Sequence, residues 1–270
     1  MRLKAHILFH FAISMMLYSI GLAQDNSGLL FNHRFEEKTF DQPFDGNEFD
    51  YFVSIEETMD RLRADQLEND FEEFLGRVSH KQSKYKSDRA FLKYLFYKVH
   101  NKILKRYTSH AMVSSTISEG KYDCVTGSAI YALILNHLGY EFQVRELDYH
   151  IFLEIRTQEG LVVLESTDPV YGFYSSSADI SNLMEQFNST TDESSYDFVN
   201  ESNNRVGLKE LAGLQYYNRA IQLYNNHEFD KALTAINKAH SLYQSTRVKE
   251  IRNLISAFAD GQTVALAQDD

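Results

Sequence analysis

The chain has 270 residues, which is enough for one hydrophobic core and a smaller second unit. Its 38 acidic residues outnumber its 27 basic residues, and the formal net charge of −11 argues against nucleic acid or an anionic membrane surface as a partner. It contains one cysteine, which excludes an intrachain disulfide.

Residues 1–23 have the pattern of a secretory signal rather than of a transmembrane anchor. Arg2 and Lys4 precede an apolar stretch from Ile7 to Ile20, and Gly21-Leu22-Ala23 has the small–x–small spacing of a cleavage site. The stretch is shorter than the roughly 20 residues that span a bilayer, and no later segment is more apolar. We therefore expect an exported protein, periplasmic or secreted, with no membrane span after signal removal. That mature chain would carry 25 basic and 38 acidic residues, a net charge of −13.

The first third of the mature chain is predicted to be mainly helical. Residues 24–50 are acidic and aromatic without periodicity, which predicts an extended lead-in. Ser54-Ile-Glu-Glu57 matches a capping box and predicts the start of a helix that reaches about Val78. An apolar stripe predicts a second helix over residues 87–106, and the polar segment 108–122 predicts a loop.

The middle of the chain combines a buried helix with strands. An apolar run predicts a helix from Cys124 to Leu138 that stops at Gly139. Strand-like runs follow at 140–147, 150–156 and 161–167, and Thr157-Gln-Glu-Gly160 predicts a hairpin between the last two. Helices packed on an antiparallel sheet make an α+β domain, which we place at residues 51–204. Residues 168–204 predict a polar loop with a helix near 180–187.

Residues 205–260 are predicted to be helical. Two helices at 208–225 and 229–243 precede a third at 247–258, and residues 261–270 predict a frayed tail. The first two helices resemble a tetratricopeptide repeat in the spacing of Tyr216, Ala220, Leu223, Phe229, Ala232, Ile236 and Ala239. Because a lone repeat cannot bury its face, we expect it to pack on the α+β domain. An ordinary helical hairpin is the alternative interpretation.

The residues that carry chemistry are a cysteine, a histidine and an acid in that order. Cys124 stands at a predicted helix start, where the dipole would stabilise its thiolate, and Asp123 is expected there facing solvent. His150 follows on a predicted strand. A two-residue hairpin turn would place Glu165 diagonal to His150, whereas an odd-numbered turn favours Asp168.

Four short blocks carry a family resemblance: Gly120-Lys-Tyr-Asp-Cys124-Val-Thr-Gly, Leu138-Gly139-Tyr140, Tyr149-His150-Ile-Phe-Leu-Glu154 and Leu164-Glu165-Ser-Thr167. In this order they resemble the transglutaminase-like branch of the papain-like superfamily, in bacterial proteins with a C-terminal tetratricopeptide segment. The chain departs from that pattern by having no tryptophan; Val125 and Phe152 stand where many members have one.

The resemblance implies a papain-like core with a helix-borne nucleophile, Cys124. It implies His150 as general base and acid, and Glu165, or alternatively Asp168, as the group that orients the imidazole. Tyr122 and Phe152 are the residues expected to line the substrate site. This chemistry requires no cofactor and no metal, and the cysteine and histidine spacing predicts no zinc site.

Two functions follow from these expectations. The first is an exported cysteine hydrolase or acyltransferase of peptidase, amidase or deamidase type, acting on an amide in a protein or peptide substrate. The second is a catalytically degenerate binding or scaffold protein that contacts a protein partner through its helical repeat. A structural envelope protein, with the cysteine as part of the core, is a more remote third.

Overall fold

The computed structural model describes residues 28–147, 150–189 and 205–268 and shows an α+β protein. Its helices are α1 (Arg34–Phe40), α2 (Glu48–Val53), α3 (Arg61–Gln82), α4 (Asp88–Lys102), α5 (Val113–Glu119), α6 (Cys124–His137), α7 (Ser177–Ser189), α8 (Leu208–Asn225), α9 (Phe229–Leu242) and α10 (Thr246–Gln268). Its strands are β1 (Arg106–Tyr107), β2 (Lys121–Tyr122), β3 (Phe142–Glu146), β4 (Ile151–Thr157), β5 (Gly160–Leu164), β6 (Phe173–Tyr174) and β7 (Arg205–Val206).

The predicted signal at residues 1–23 lies outside the described residues. So do Asp148 and Tyr149, which lie between two predicted strands, and residues 190–204, the end of the loop predicted at 168–204. The helix expected near 180–187 is present as α7. Among the described residues, no helix combines the length and the apolar character that crossing a membrane requires.

From residue 28 onward, the lead-in predicted at residues 24–50 is not extended, contrary to the prediction. Its described part contains α1 and the start of α2. His33 caps α1, because its Nδ1 accepts a hydrogen bond from the Glu36 amide at 3.2 Å. Phe35 and Phe40 are buried in the main core. Helices this short are stabilised by tertiary packing rather than by a long periodic pattern, so the sequence shows little sign of them.

The helix predicted to begin at Ser54 begins instead at Arg61, where the Asp60 side chain caps α3. Ser54 ends α2. The Nε2 atom of His33 lies 3.1 Å from the Ser54 carbonyl oxygen and 3.0 Å from that of Glu56. This contact holds the segment as a turn, so the capping-box pattern there does not start a helix.

The segment 108–122 is not a plain loop, because it contains α5 and β2. Gly120 ends α5 in the left-handed region with φ of 75°, and a side chain there would collide with Lys105. Strands β1 and β2 then pair in parallel, with Tyr107 opposite Tyr122. This pairing delivers the chain directly into α6.

The helix predicted after Asp123 is present as α6. Asp123 and Thr126 form a capping box, with the Thr126 amide donating to Asp123 Oδ1 at 2.8 Å. Gly139 follows the helix with φ of 74°, as its predicted stop requires. Almost every residue of α6 is buried, because it packs against β3, β4 and α8.

The three predicted strands form the centre of a five-stranded antiparallel sheet in the order β6-β5-β4-β3-β7. Side chains on one face, including Leu153 and Val162, join the main core with α6. Phe152 and Val163 point to the other face and pack under α7 with Leu183. The sheet is therefore buried on both faces near its centre.

The C-terminal helices pack on the rest of the protein, as expected, through buried polar contacts as well as apolar ones. Lys238 of α9 donates to Glu36 of α1 at 2.7 Å, and both side chains are buried. Gln215 of α8 donates to the Phe52 carbonyl at 2.8 Å. The prediction of a frayed tail at residues 261–270 is wrong as far as residue 268, since α10 continues to Gln268.

Candidate active site

Cys124 is the first residue of α6 and is partly buried. The first amides of a helix have no acceptor within it, so those of Cys124 and Val125 are available to groups in front of the helix. Both donate towards the Cys124 sulfur. The lone cysteine thus occupies the position that the sequence predicts.

The sequence predicts a stabilised thiolate at Cys124, but the surroundings of the thiol raise its pKa. Burial raises the pKa of Cys124 to about 12, and the charge of Asp123 adds to the rise. Hydrogen bonds from the Val125 and Cys124 amides lower it only in part. Asp123 does not face solvent as predicted but is buried as the helix cap. Desolvation of the charged form therefore outweighs the helix dipole, and Cys124 rests as a neutral thiol.

The structure brings His150 and Glu165 together. Thr157 pairs with Gly160 across the β4–β5 hairpin, which leaves a two-residue turn and the register that favours Glu165. The Nε2 atom of His150 lies 3.1 Å from Glu165 Oε1. The His150 side chain is 22% exposed and that of Glu165 is 8% exposed, so the imidazole is accessible while its partner is covered.

Glu165 is held as an ionised acceptor. Burial acts to raise its pKa, but hydrogen bonds from His150 and from the Thr167 amide and hydroxyl outweigh burial, and the pKa is lowered. Both Thr167 donors lie 2.8 Å from Oε1. Because an ionised carboxylate only accepts hydrogen bonds, the His150 Nε2 atom must carry the proton of their contact. This bond selects one tautomer of the imidazole.

Asp168, the alternative partner of His150, binds the backbone of the turn after β5 instead. Its Oδ1 accepts hydrogen bonds from the Val170 amide at 3.0 Å and the Tyr171 amide at 2.9 Å. Its carbonyl oxygen accepts from the Gly172 amide at 2.9 Å. Asp168 therefore organises the turn after β5, and it is Glu165 that contacts His150.

Cys124 lies within the electrostatic reach of Glu165. The charge of Glu165 contributes to the raised pKa of the thiol and to those of Tyr122 and Tyr107, for which burial is the largest cause. The charge of Cys124 also raises the pKa of Tyr107. The cysteine, the histidine's acid and two tyrosines thus share one small region of the structure.

Tyr122 and Phe152, both expected to line the site, lie in different places. Tyr122 is buried in the site region, and its ring meets that of Tyr107 edge to face at 6.1 Å. Phe152 is fully buried beneath α7 with Val163, so it presents no surface to a substrate. The prediction for Phe152 is wrong, because its side chain packs against Val163 and Leu183 and is fully covered.

Tyr107 was not predicted as a site residue, although it is 55% exposed beside Tyr122. It lies at the boundary between a predicted helix and a predicted loop. No local signal marks it, because its proximity to Cys124 depends on the β1–β2 pairing.

Gly127 lets the loop that carries Glu165 approach the start of α6. A Cβ atom on Gly127 would lie 2.8 Å from Ser166 Oγ, 2.9 Å from Ser166 Cβ and 3.3 Å from a ring carbon of Tyr122. Real Cβ atoms essentially never come within 3.0 Å of another atom, so the two Ser166 contacts could not form without a shift. Gly127 thus allows α6 and the segment after β5 to come into contact.

His100 of α4 is a second histidine in the region, and unlike His150 it is buried; the sequence did not indicate it. Its ring packs against those of Phe96 and Tyr122, at 4.7 and 6.1 Å. Neither ring nitrogen has a hydrogen-bond partner among the described residues. Burial lowers the pKa of His100 to about 4, although the charges of Glu165 and Asp168 oppose this. His100 is therefore a neutral imidazole at physiological pH.

Within the described ranges, no group of three or more histidine, cysteine or carboxylate side chains is placed to hold a metal ion. Comparison of the chain with protein-family models, with curated proteins and with solved structures gives no match.

Proposed function

We propose that this protein is a thiol-dependent acyl-transfer enzyme that acts on an amide of a peptide or protein, as a peptidase, amidase or deamidase. The observation that carries this proposal is the contact of His150 with Glu165, 3.1 Å long, near a thiol whose pKa the same carboxylate influences. A nucleophile, a base and a group that orients the base are the parts that such chemistry needs.

The contact of His150 with Glu165 supports a proton path through the imidazole. Since Nε2 donates to Glu165, the thiol proton would pass to Nδ1. Burial keeps Cys124 neutral at rest, so proton transfer would accompany attack instead of preceding it. As the sulfur–carbon bond forms, the carbonyl oxygen becomes an oxyanion, and the Cys124 amide at the start of α6 would turn from the sulfur to stabilise it.

Collapse of this intermediate would break the carbon–nitrogen bond. The imidazolium of His150 would return its proton to the leaving amine, and Glu165 would stabilise the imidazolium until then. Water, or a second amine, would then release the acyl group from Cys124. The first acceptor makes the enzyme a hydrolase and the second makes it an acyltransferase.

The proposal includes a transglutaminase-like core over residues 51–204 and a tetratricopeptide-like pair in residues 205–260. Its support is the order of the elements: α6 with Cys124 packs on an antiparallel sheet whose neighbouring strands lead to His150 and Glu165. Export remains part of the proposal on the sequence pattern of residues 1–23. N-terminal sequencing of the protein from culture supernatant and periplasm would test it.

The reaction is tested with p-nitrophenyl acetate as an activated acyl donor. Mass spectrometry should locate an acetyl group on Cys124, and Cys124→Ser should lose it. We expect His150→Ala to slow acylation by about 100-fold or more, and Glu165→Gln to slow it by about tenfold or more.

Two matched variants serve as controls. His137→Ala changes a histidine at the other end of α6, whose Nε2 lies near Ser79 Oγ. Asp168→Asn keeps the acceptor for the turn after β5. Both should acylate as fast as the wild type.

A non-catalytic binding or scaffold protein is the second candidate function. The raised pKa of Cys124 and the buried Asp123 beside it favour this reading, since both oppose a thiolate. If Cys124 is acetylated no faster in the wild type than in His150→Ala, the enzyme proposal fails and the binding function replaces it.

A further inference from the structure

The C-terminal helices hold the end of β3 through one buried carboxylate. Glu146, the last residue of β3, is almost fully buried. Its Oε1 lies 3.0 Å from Arg247 Nη1, and its Oε2 accepts a hydrogen bond from the Tyr243 hydroxyl. Tyr243 caps α9 and Arg247 lies in the first turn of α10, so both donors come from the junction of these two helices.

The same junction reaches the connection that leads to His150. Arg247 Nη2 donates to the Leu147 carbonyl at 3.0 Å. The Leu147 amide in turn donates to the His150 carbonyl at 2.8 Å, which closes the β3–β4 hairpin immediately before β4. Arg247 is thus joined to the backbone of His150 through one intervening residue.

We propose that Arg247 and Tyr243 are positioning residues for His150, so that the C-terminal helices set the geometry of the candidate active site. Arg247 forms a fork, with one arm on the Glu146 carboxylate and the other on the Leu147 carbonyl. This fork fixes both the end of β3 and the start of the connection. The inference deepens the proposed function and rests on it for its catalytic meaning.

The physical reason lies in the burial of Glu146. A carboxylate that loses its donors in a buried site must recover hydrogen bonds, and the nearest route is a shift of its strand end towards water. That shift would move Leu147 and, through the hairpin pair, His150. The bond from His150 Nε2 to Glu165, 3.1 Å long, would then weaken, and the imidazole would lose its single tautomer.

The test uses the full-length protein labelled with ¹⁵N-histidine, with the His150→Ala variant to assign the His150 signals. In the wild type we expect the tautomer with the proton on Nε2. Arg247→Met and Tyr243→Phe should each raise the share of the other tautomer, and Arg247→Met should change their ratio by about fivefold or more, the effect of one lost charge-assisted hydrogen bond. In these two variants, acetylation of Cys124 by p-nitrophenyl acetate, measured below the unfolding temperature, should slow by about tenfold.

Three variants separate positioning from general destabilisation. Tyr243→Phe removes one oxygen atom and keeps the ring, so it should fold even where Arg247→Met does not. Arg247→Lys keeps the charge near Glu146 and should partly restore both readouts. Arg252→Met changes an arginine of α10 that bonds Asn237 of α9, and it should leave the His150 signals unchanged.

The proposed function and this inference fail in different ways. If the wild type is not acetylated, the proposed enzyme function fails, but the tautomer ratio of His150 still tests whether Arg247 and Tyr243 position it. Wild-type His150 signals in both Arg247→Met and Tyr243→Phe overturn the inference, whatever the acetylation rates. An equal shift in Arg252→Met also overturns it, because the effect would then belong to α10 in general.

Discussion

The buried ion pair between Glu36 and Lys238 should show strong non-additivity in a double-mutant cycle. The two side chains are 0% and 1% exposed, and Lys238 Nζ lies 2.7 Å from Glu36 Oε2. Glu36 also accepts from the Asn32 amide at 2.8 Å and from the Tyr216 hydroxyl at 3.0 Å. Lys238 additionally lies 5.5 Å from the centre of the Phe31 ring. This cluster joins α1 to the C-terminal helices.

The magnitude follows from what each variant leaves behind. Glu36→Gln leaves a buried ammonium without a counter-ion, and Lys238→Met leaves a buried carboxylate, so each should lower the free energy of unfolding by about 3–5 kcal/mol. The double variant contains neither charge. It should lie within about 2 kcal/mol of the wild type, since replacing a whole buried pair by neutral groups is often nearly neutral.

The pH dependence of Glu36→Gln provides a second check. Burial lowers the pKa of Lys238, and Glu36 partly offsets this. Without Glu36 the folded-state pKa should fall further below the unfolded value of about 10.4. The unfolded state then binds more protons, so stability should rise with pH from neutral towards pH 10. Glu36→Gln should therefore be less destabilised at pH 9.5 than at pH 7.

Urea unfolding of the four proteins at both pH values measures these differences. Lys231→Met is the control, because Lys231 pairs with Glu228 on the surface of the same helices at 2.8 Å. It should leave the unfolding midpoint unchanged. Additive single effects, or a Glu36→Gln loss below about 1 kcal/mol, would refute the reasoning from burial.

Three further predictions concern the candidate site. Glu165→Gln should lower the free energy of unfolding at neutral pH. Because the folded pKa of Glu165 is lowered, the difference from the wild type should be full above the ordinary pKa of about 4.3 and should vanish on acidification through the lower folded value. Urea titrations at several pH values measure this. His100→Phe should stabilise by about 1–2 kcal/mol, because it removes a buried imidazole that has no hydrogen-bond partner among the described residues. Because the folded pKa of His100 is lowered to about 4, the variant should also lose less stability than the wild type below pH 6.5. Thermal unfolding at several pH values measures both effects, and a variant that melts at a lower temperature than the wild type would contradict them. Gly127→Ala should destabilise the protein by about 1–3 kcal/mol through collision with Ser166. Adding Ser166→Gly to this variant should recover part of the loss. If the double variant is no more stable than Gly127→Ala alone, the collision is excluded.

Local sequence patterns were sufficient to predict a helix or strand where the element has a single type of surroundings along its length. The apolar run after Asp123 predicted α6, and alternation with a turn signal predicted β4 and β5. The two-residue turn between Thr157 and Gly160 then determined that Glu165, and not Asp168, meets His150. In antiparallel strands the register follows from the turn, so this part of the site could be derived from sequence.

Patterns failed where contacts distant in sequence override local preference. The lead-in contains α1 because Phe40 and Glu36 pack on the C-terminal helices, about 200 residues later. The helix expected at Ser54 is displaced because His33 binds the carbonyls there. Neither partner is within the range of a helical or strand period, so no window of sequence could reveal it.

The amino-acid sequence was enough to predict that a lone cysteine begins a buried helix and that a histidine and an acid follow at the ends of paired strands. These features depend on periodicity, capping and turn length, which are local. Three features became visible only in the folded protein: the Cys124 thiol is neutral, Asp123 is buried beside it, and Arg247 donates to the Leu147 carbonyl before His150. Desolvation and long-range hydrogen bonds depend on which surfaces meet when the chain is folded, and that information is spread over the whole core.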